Sequence, residues 1–173
     1  MCVSSRIEDT AFAFNSPATD NDILKLEQSI QRSIPDSLRQ FLSIHNGEDR
    51  NGTRTLGMDR FLSCAEMVKE WKNYSSLDEN TLKAKQKFDA RLSQGLYWRR
   101  EWLFIAENGP DKLLMSCDGS AHPYIFEFHH EVKPKQIIAT SVFELFERAL
   151  KMTASETCMR LPNGLFFQFT AVN

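Results

Sequence analysis

Four histidines (His45, His122, His129, His130) and four cysteines (Cys2, Cys64, Cys117, Cys158) are the side chains best suited to nucleophilic or metal chemistry. Their spacing supports neither. His129 and His130 are adjacent, so on a strand they point to opposite faces and cannot share one ion simply. Cys117 or Glu127 could complete a site with one of them, but there is no Cys-x-x-Cys and no other standard zinc spacing. A metal-dependent hydrolase built on His129, His130 and Cys117 is the least favoured reading. A Gly-x-Ser-x-Gly nucleophile elbow is absent, and Ser141 reads as a helix cap. Neither phosphate-loop pattern occurs, and 7 glycines in the chain leave few backbone cradles. The carboxylate pairs Glu8-Asp9, Glu48-Asp49 and Asp78-Glu79 lie in polar stretches, where solvation is the ordinary state. The expectation is no catalytic residue, no metal ligand and no cofactor.

The stretch Lys83, Lys85, Lys87, Arg91, Arg99, Arg100 is basic and is flanked by Trp98 and Trp102. Basic side chains beside aromatic ones are the footprint of single-strand nucleic-acid binding. Here Asp89 and Glu101 interrupt the charge, and Trp102 opens an apolar run that reads as core. With 21 Lys+Arg against 23 Asp+Glu the formal net charge is −2, which gives no overall attraction to a polyanion. Direct nucleic-acid contact is not expected. No apolar run approaches the ~18 residues of a membrane span, so no membrane contact is expected either. The opening residues Met1 to Asp9 have no apolar stretch of the secretory kind. The expected setting is cytoplasmic, with the cysteines reduced.

The elements that would carry these residues follow from periodicity and caps. With 173 residues, one domain is the first expectation. Residues 1–18 read as a lead-in, mobile unless Phe12 and Phe14 dock, and 19–173 as a single domain. Thr19 or Asp20 caps a first helix with Ile23, Leu26 and Ile30 on one stripe. Pro35 is expected to end it and to open a second helix, with Leu38, Phe41 and Leu42 buried and Asn46-Gly47 as its stop. Thr55 to Leu62 reads as one or two short strands. Ser63-Cys-Ala-Glu66 is a capping box opening a third helix with Met67, Val68, Trp71 and Tyr74 inward. Glu79 to Leu92 has weak helical character. The runs 102–106 and 112–116, joined by Asn108-Gly-Pro-Asp111, read as a hairpin. Tyr124 to Phe128 alternates as a strand buried on one face, Lys135 to Ala139 is another strand, and Leu165 to Phe169 a last one. Ser141-Val-Phe-Glu144 is a second capping box, opening a helix with Phe143, Leu145, Phe146, Ala149 and Leu150. Helices before and after a meander of strands make the class α+β, a mainly antiparallel sheet packed by N-terminal and flanking helices.

The order of these signals resembles the SUKH superfamily, named for a fungal cell-wall-assembly regulator and its bacterial relatives. The resemblance rests on Ile23, Leu26, Glu27, Ile34-Pro35, Leu38, Phe41-Leu42 and Asn46-Gly47. It continues with Trp98, Trp102 to Ala106, the turn Asn108 to Asp111, Leu113-Leu114, Asp118 and Ala139 to Phe143. It covers residues 20–152; Pro110 departs from the family's turn, and 75–95 and 153–173 have no counterpart. The resemblance implies an α+β fold and a non-catalytic protein-binding role. The leading expectation is an immunity protein that binds and neutralises a cognate toxin, often a nuclease. The alternative is a regulatory or scaffold domain of the cell-wall-regulator type. A nuclease partner would be met by acids opposing its phosphate-binding cations, with aromatic anchors. The candidate contacts are Glu48, Asp49, Glu107, Asp111 and Asp118, with Tyr97 or Trp98.

Overall fold

The computed structural model describes residues 14–52, 54–57, 59–77, 80–81, 98–128, 137–154, 159–161 and 164–166. Its elements are α1 (Asp20–Ile30), α2 (Asp36–Leu42), β1 (Arg60–Phe61), α3 (Cys64–Ser75), β2 (Trp102–Asn108), β3 (Asp111–Ser116), β4 (Ile125–Phe128), β5 (Ile137–Ala139), α4 (Val142–Thr153), β6 (Met159–Leu161) and β7 (Gly164–Phe166). β1 to β5 form one sheet in chain order, each strand antiparallel to the last. β6 and β7 make a separate hairpin, of which the sequence shows only the second strand. The α+β class and the meander agree with the sequence pattern.

Capping fixes where the helices begin. The Thr19 hydroxyl accepts from Asp22 N–H while Asp22 reaches back to Thr19, and Ser63 and Glu66 do the same for α3. α4 is capped by Ser141, but Glu144 accepts from the N–H and hydroxyl of Thr140, so the second expected box closes one residue early. α1 ends before Pro35. Gln31 takes a left-handed conformation (φ 56°) and donates its N–H to Glu27, and Pro35 stands as the N-cap of α2. Glu79 to Leu92 lies outside the described residues apart from Asn80 and Thr81, which are helical.

Helices cover both faces of the sheet. On one face Tyr74 of α3 packs on Phe104 and Phe128, with ring centroids at 4.5 and 6.1 Å. On the other, Phe61 of β1 meets Phe41 of α2 at 4.4 Å and Phe146 of α4 at 5.8 Å. β4 is therefore buried through Ile125, Phe126 and Phe128, not on one face as its alternation suggests, and Glu127 is half-buried. α4 turns Val142, Leu145 and Ala149 inward. Phe143 and Leu150, expected in the core, are 47% and 67% exposed because the 3.6-residue pitch carries them to the outer side.

The lead-in is docked where it is described. Phe14 stacks on His45 at 4.4 Å and bridges to Glu48, and Ala18 N–H donates to Leu42. The docking centres on Asn46-Gly47. Asn15 N–H donates to the Gly47 carbonyl (3.0 Å), Asn46 N–H to Ser16 (3.1 Å), and Cys64 N–H to the Asn46 side chain (2.8 Å). Gly47 has φ +76°, and a Cβ there would lie 2.5 Å from Ser63 N and 2.6 Å from Leu62 C, both backbone atoms. Three chain segments cross at a place where only hydrogen fits. Gly47→Ala is expected to destabilise the fold by about 2 kcal/mol or more, since positive φ and steric overlap act together. Urea midpoints of the two proteins measure it; an unchanged midpoint refutes the crossing.

Candidate functional site

Charge gathers at the end of the sheet carrying the β2–β3 turn. In cross-strand register, Arg60 faces Glu107 and Glu107 faces Lys112, a ladder of alternating sign running beneath α3. Arg60 is 2% exposed. Its Nη1 donates to Glu66 Oε2 and its Nη2 to Glu66 Oε1, both at 2.9 Å, a fork-to-fork pair. Nη2 also reaches Glu107 Oε1 at 2.6 Å, and Nη1 the Glu48 carbonyl at 3.2 Å. Lys112 Nζ lies 3.0 Å from Glu107 and 3.7 Å from Glu70 of α3. Arg50 closes the outer side on Glu66 at 3.0 Å. Burial works against the Glu66 charge, but hydrogen bonds from Arg60, Ser63 and Arg50 outweigh it and hold the pKa at about 2.

A second set of carboxylates sits on the other side of the same strands. Glu48 is buried, with its carboxylate bonded to the N–H and hydroxyl of Thr55 and to Phe61 N–H (2.8 Å). Desolvation raises its pKa despite these bonds. Asp59, half-buried one residue before Arg60, has its pKa pushed up to about 7 by desolvation first, then by Glu127, Asp111 and Glu48.

The two described thiols are buried. Burial pushes the Cys64 thiol up to about 11 and Cys117 up to about 12, so both stay protonated at neutral pH. Among the described residues no group of three or more His, Cys, Asp or Glu is placed to hold a metal ion. His129 and His130 lie outside the described residues. No helix among the described residues is long and apolar enough to cross a membrane.

A family model described as the SMI1 / KNR4 family (SUKH-1) matches residues 17–148. The chain belongs to that family. A Neurospora crassa relative named glucan synthesis regulatory protein is 30% identical across a stretch covering 61% of this chain and 22% of that protein. The chain thus spans about a fifth of that relative's length.

In this SUKH-1 chain the acids singled out from sequence separate into groups. Glu48, Glu107 and Asp111 come together at one sheet end with the neighbouring Asp49; Asp118 lies on the β3–β4 turn. Glu48 and Glu107 are committed to bonds within the fold. Asp49 and Asp118 are exposed, each accepting a backbone N–H in its own turn, from Asn51 and Ser120. Trp98 is 6% exposed and packs against Trp71 and Tyr74, so its indole is core. Tyr97 lies outside the described residues. Sequence reasoning missed Arg60, Lys112, Glu70 and Asp59. A charged residue at each end of an apolar strand run, as Glu107 and Lys112 flank theirs, was the available signal.

Two outcomes follow. Arg60→Met leaves Glu66 and Glu107 without their buried counter-charge and is expected to cost about 3–5 kcal/mol in urea unfolding. Adding Glu66→Gln and Glu107→Gln should return part of that loss; a triple variant no better than the single one refutes the charge account. Asp59 works in the opposite sense. Its folded pKa lies above the ordinary value of 3.8, so the folded state binds the proton more tightly than the unfolded chain. Its destabilising effect is absent below about pH 3.8, grows as pH rises to about 7, and is constant above. Asp59→Asn should match the parent at acid pH and gain about 1 kcal/mol or more by pH 8. Parallel stability-against-pH curves for the two proteins contradict this.

Proposed function

We propose that this chain is a non-catalytic protein-binding domain that acts in regulation, holding a protein partner and carrying out no reaction itself. The observation that carries the reading is membership of the SMI1 / KNR4 family together with a relative named as a regulator of glucan synthesis. The site's chemistry supports it. Both described thiols are buried with raised pKa values, and Glu66 and Glu107, whose pKa values are lowered, are bonded to Arg60. Bonded in this way, Glu66 and Glu107 are poor bases; Asp59, raised to about 7, is a group of this end that titrates near neutrality. Of the two roles implied by the resemblance, the fungal relative favours regulation over toxin neutralisation. In the neutralising role the exposed acids Asp49 and Asp118 are the residues that would face a nuclease.

The test is affinity capture of the full chain from its own cells after cross-linking, followed by reconstitution with the purified captured protein. The expected result is a complex that survives gel filtration, with the partner's activity or location altered. A captured protein whose toxicity the chain abolishes would replace regulation by neutralisation. Turnover of a small molecule by the purified chain, or no protein retained, would overturn the reading.

A further inference from the structure

α1 and α3 pack side by side and leave a groove of about 460 Å³ between their outer surfaces. Its accessible apolar lining is Ala65 and Val68 of α3, with Leu26 of α1 and Cys64 buried behind them and the polar Gln28 and Ser29 on the α1 side. Its rim is cationic. Lys25 stands on the α1 side and Lys72 on the α3 side, both exposed, with Lys69 beside Val68 on the outer flank of α3. Asp22, the one carboxylate on the groove, is turned to its capping duty. Its Oδ2 accepts from the Thr19 N–H at 3.0 Å and from the Thr19 hydroxyl at 2.7 Å.

The pairing of lysines elsewhere makes this rim distinctive. Lys112 is bound to Glu107 and Glu70, and Lys151 to Glu147 at 2.8 Å. Among the described lysines, Lys25, Lys69 and Lys72 make no ion pair, and Lys25 and Lys72 line this groove. α3 holds its acids, Glu66 and Glu70, toward the sheet, so its outer side keeps only the positive charge. An apolar lining between Lys72 and Lys25, the latter near the Asp22 carboxylate, is complementary to a chain segment offering apolar side chains flanked by carboxylates. A nucleic acid would use the cations and leave the apolar lining uncovered.

We infer that the α1–α3 groove is the docking surface, and that its occupant is an acidic, amphipathic segment of a protein partner. The inference rests on the protein-binding reading above and names the surface and partner chemistry for it. The segment seats aliphatic side chains against Ala65 and Val68 and sets carboxylates against Lys25 and Lys72. The attraction is steered by charge, so it weakens as salt rises.

The experiment titrates the full chain, followed by amide NMR, with an amphipathic peptide of leucine and glutamate. Its leucine–lysine counterpart, a glutamate-only peptide and a single-stranded oligonucleotide are run alongside. The leucine–glutamate peptide is expected to shift amides of α1 and α3 and to saturate. Lys25→Glu with Lys72→Glu should weaken it about tenfold or more, while Lys151→Glu, away from the groove, leaves it unchanged. Unchanged thermal midpoints confirm that the charge reversals leave the fold intact. Equal binding by the leucine–lysine peptide, equal binding by the glutamate-only peptide or the oligonucleotide, shifts centred elsewhere, or no binding would each overturn the groove assignment. A cellular partner captured equally well by the Lys25→Glu, Lys72→Glu chain would also overturn it while leaving the protein-binding reading standing.

Discussion

A guanidinium that water scarcely reaches must be neutralised where it lies, and the requirement of Arg60 organises this end of the molecule. Its partners come from three places: Glu66 at the start of α3, Glu107 near the end of β2, and the Glu48 carbonyl in the loop after α2. An isolated buried charge is costly, while a buried charge with several aligned partners is tolerated. The position of each partner element is therefore tied to the others. Glu66 tightens the link because the same carboxylate caps α3 through Ser63 and forks onto Arg60. α3 cannot begin a residue earlier or later without losing both sets of bonds.

That constraint also sets the acid–base character of the carboxylates that meet Arg60. A carboxylate bonded to a guanidinium or to backbone N–H groups is a poor base, since protonation would cost those bonds. Glu66 shows the consequence, held down to about pKa 2. Glu48 and Asp59 go the other way: desolvation raises both, and on Asp59 the nearby Glu127, Asp111 and Glu48 add to it. Burial and like charge act in the same direction on Asp59, whereas on Glu66 hydrogen bonding overrides burial. The strands thus present a compensated ladder to α3 and a crowded set of acids on the opposite side.

Much of the fold is written in local signals. Thr19, Ser63 and Ser141 announce their helices because capping needs only a hydroxyl at the boundary and donors two or three residues on. The β2–β3 hairpin and the stop at Gly47 are visible for the same reason, because turn geometry is local. The order of these signals is also what ties the chain to its family. What stayed hidden depends on distant partners. Nothing beside Arg60 in the chain says that it is buried, because Glu107 lies 47 residues away. Phe143 looks like core by type and is exposed by helix phase, which is set by where α4 meets the sheet. Glu48 looks like a loop acid available to a partner, yet it holds Thr55 and Phe61 across the turn.

The same distinction bears on how a partner could be recognised. Exposed charge is cheap to carry and weak in isolation, because solvent screens it. Charge placed beside an apolar floor differs, since an occupant that covers the floor also removes the water around the rim. The acids at the sheet end are largely used in holding strands together, so the fold has less negative charge to present than the composition suggests. On the α1–α3 side Glu66 and Glu70 turn toward the sheet and Asp22 caps α1, while Lys25 and Lys72 stand outward. The described charges are thus paired at the sheet end and left facing solvent at Lys69 and Lys72 of α3. The packing of α3 sets this outer surface: to place Glu66 and Glu70 over the ladder, that helix must turn Val68 and Lys72 toward α1 and solvent.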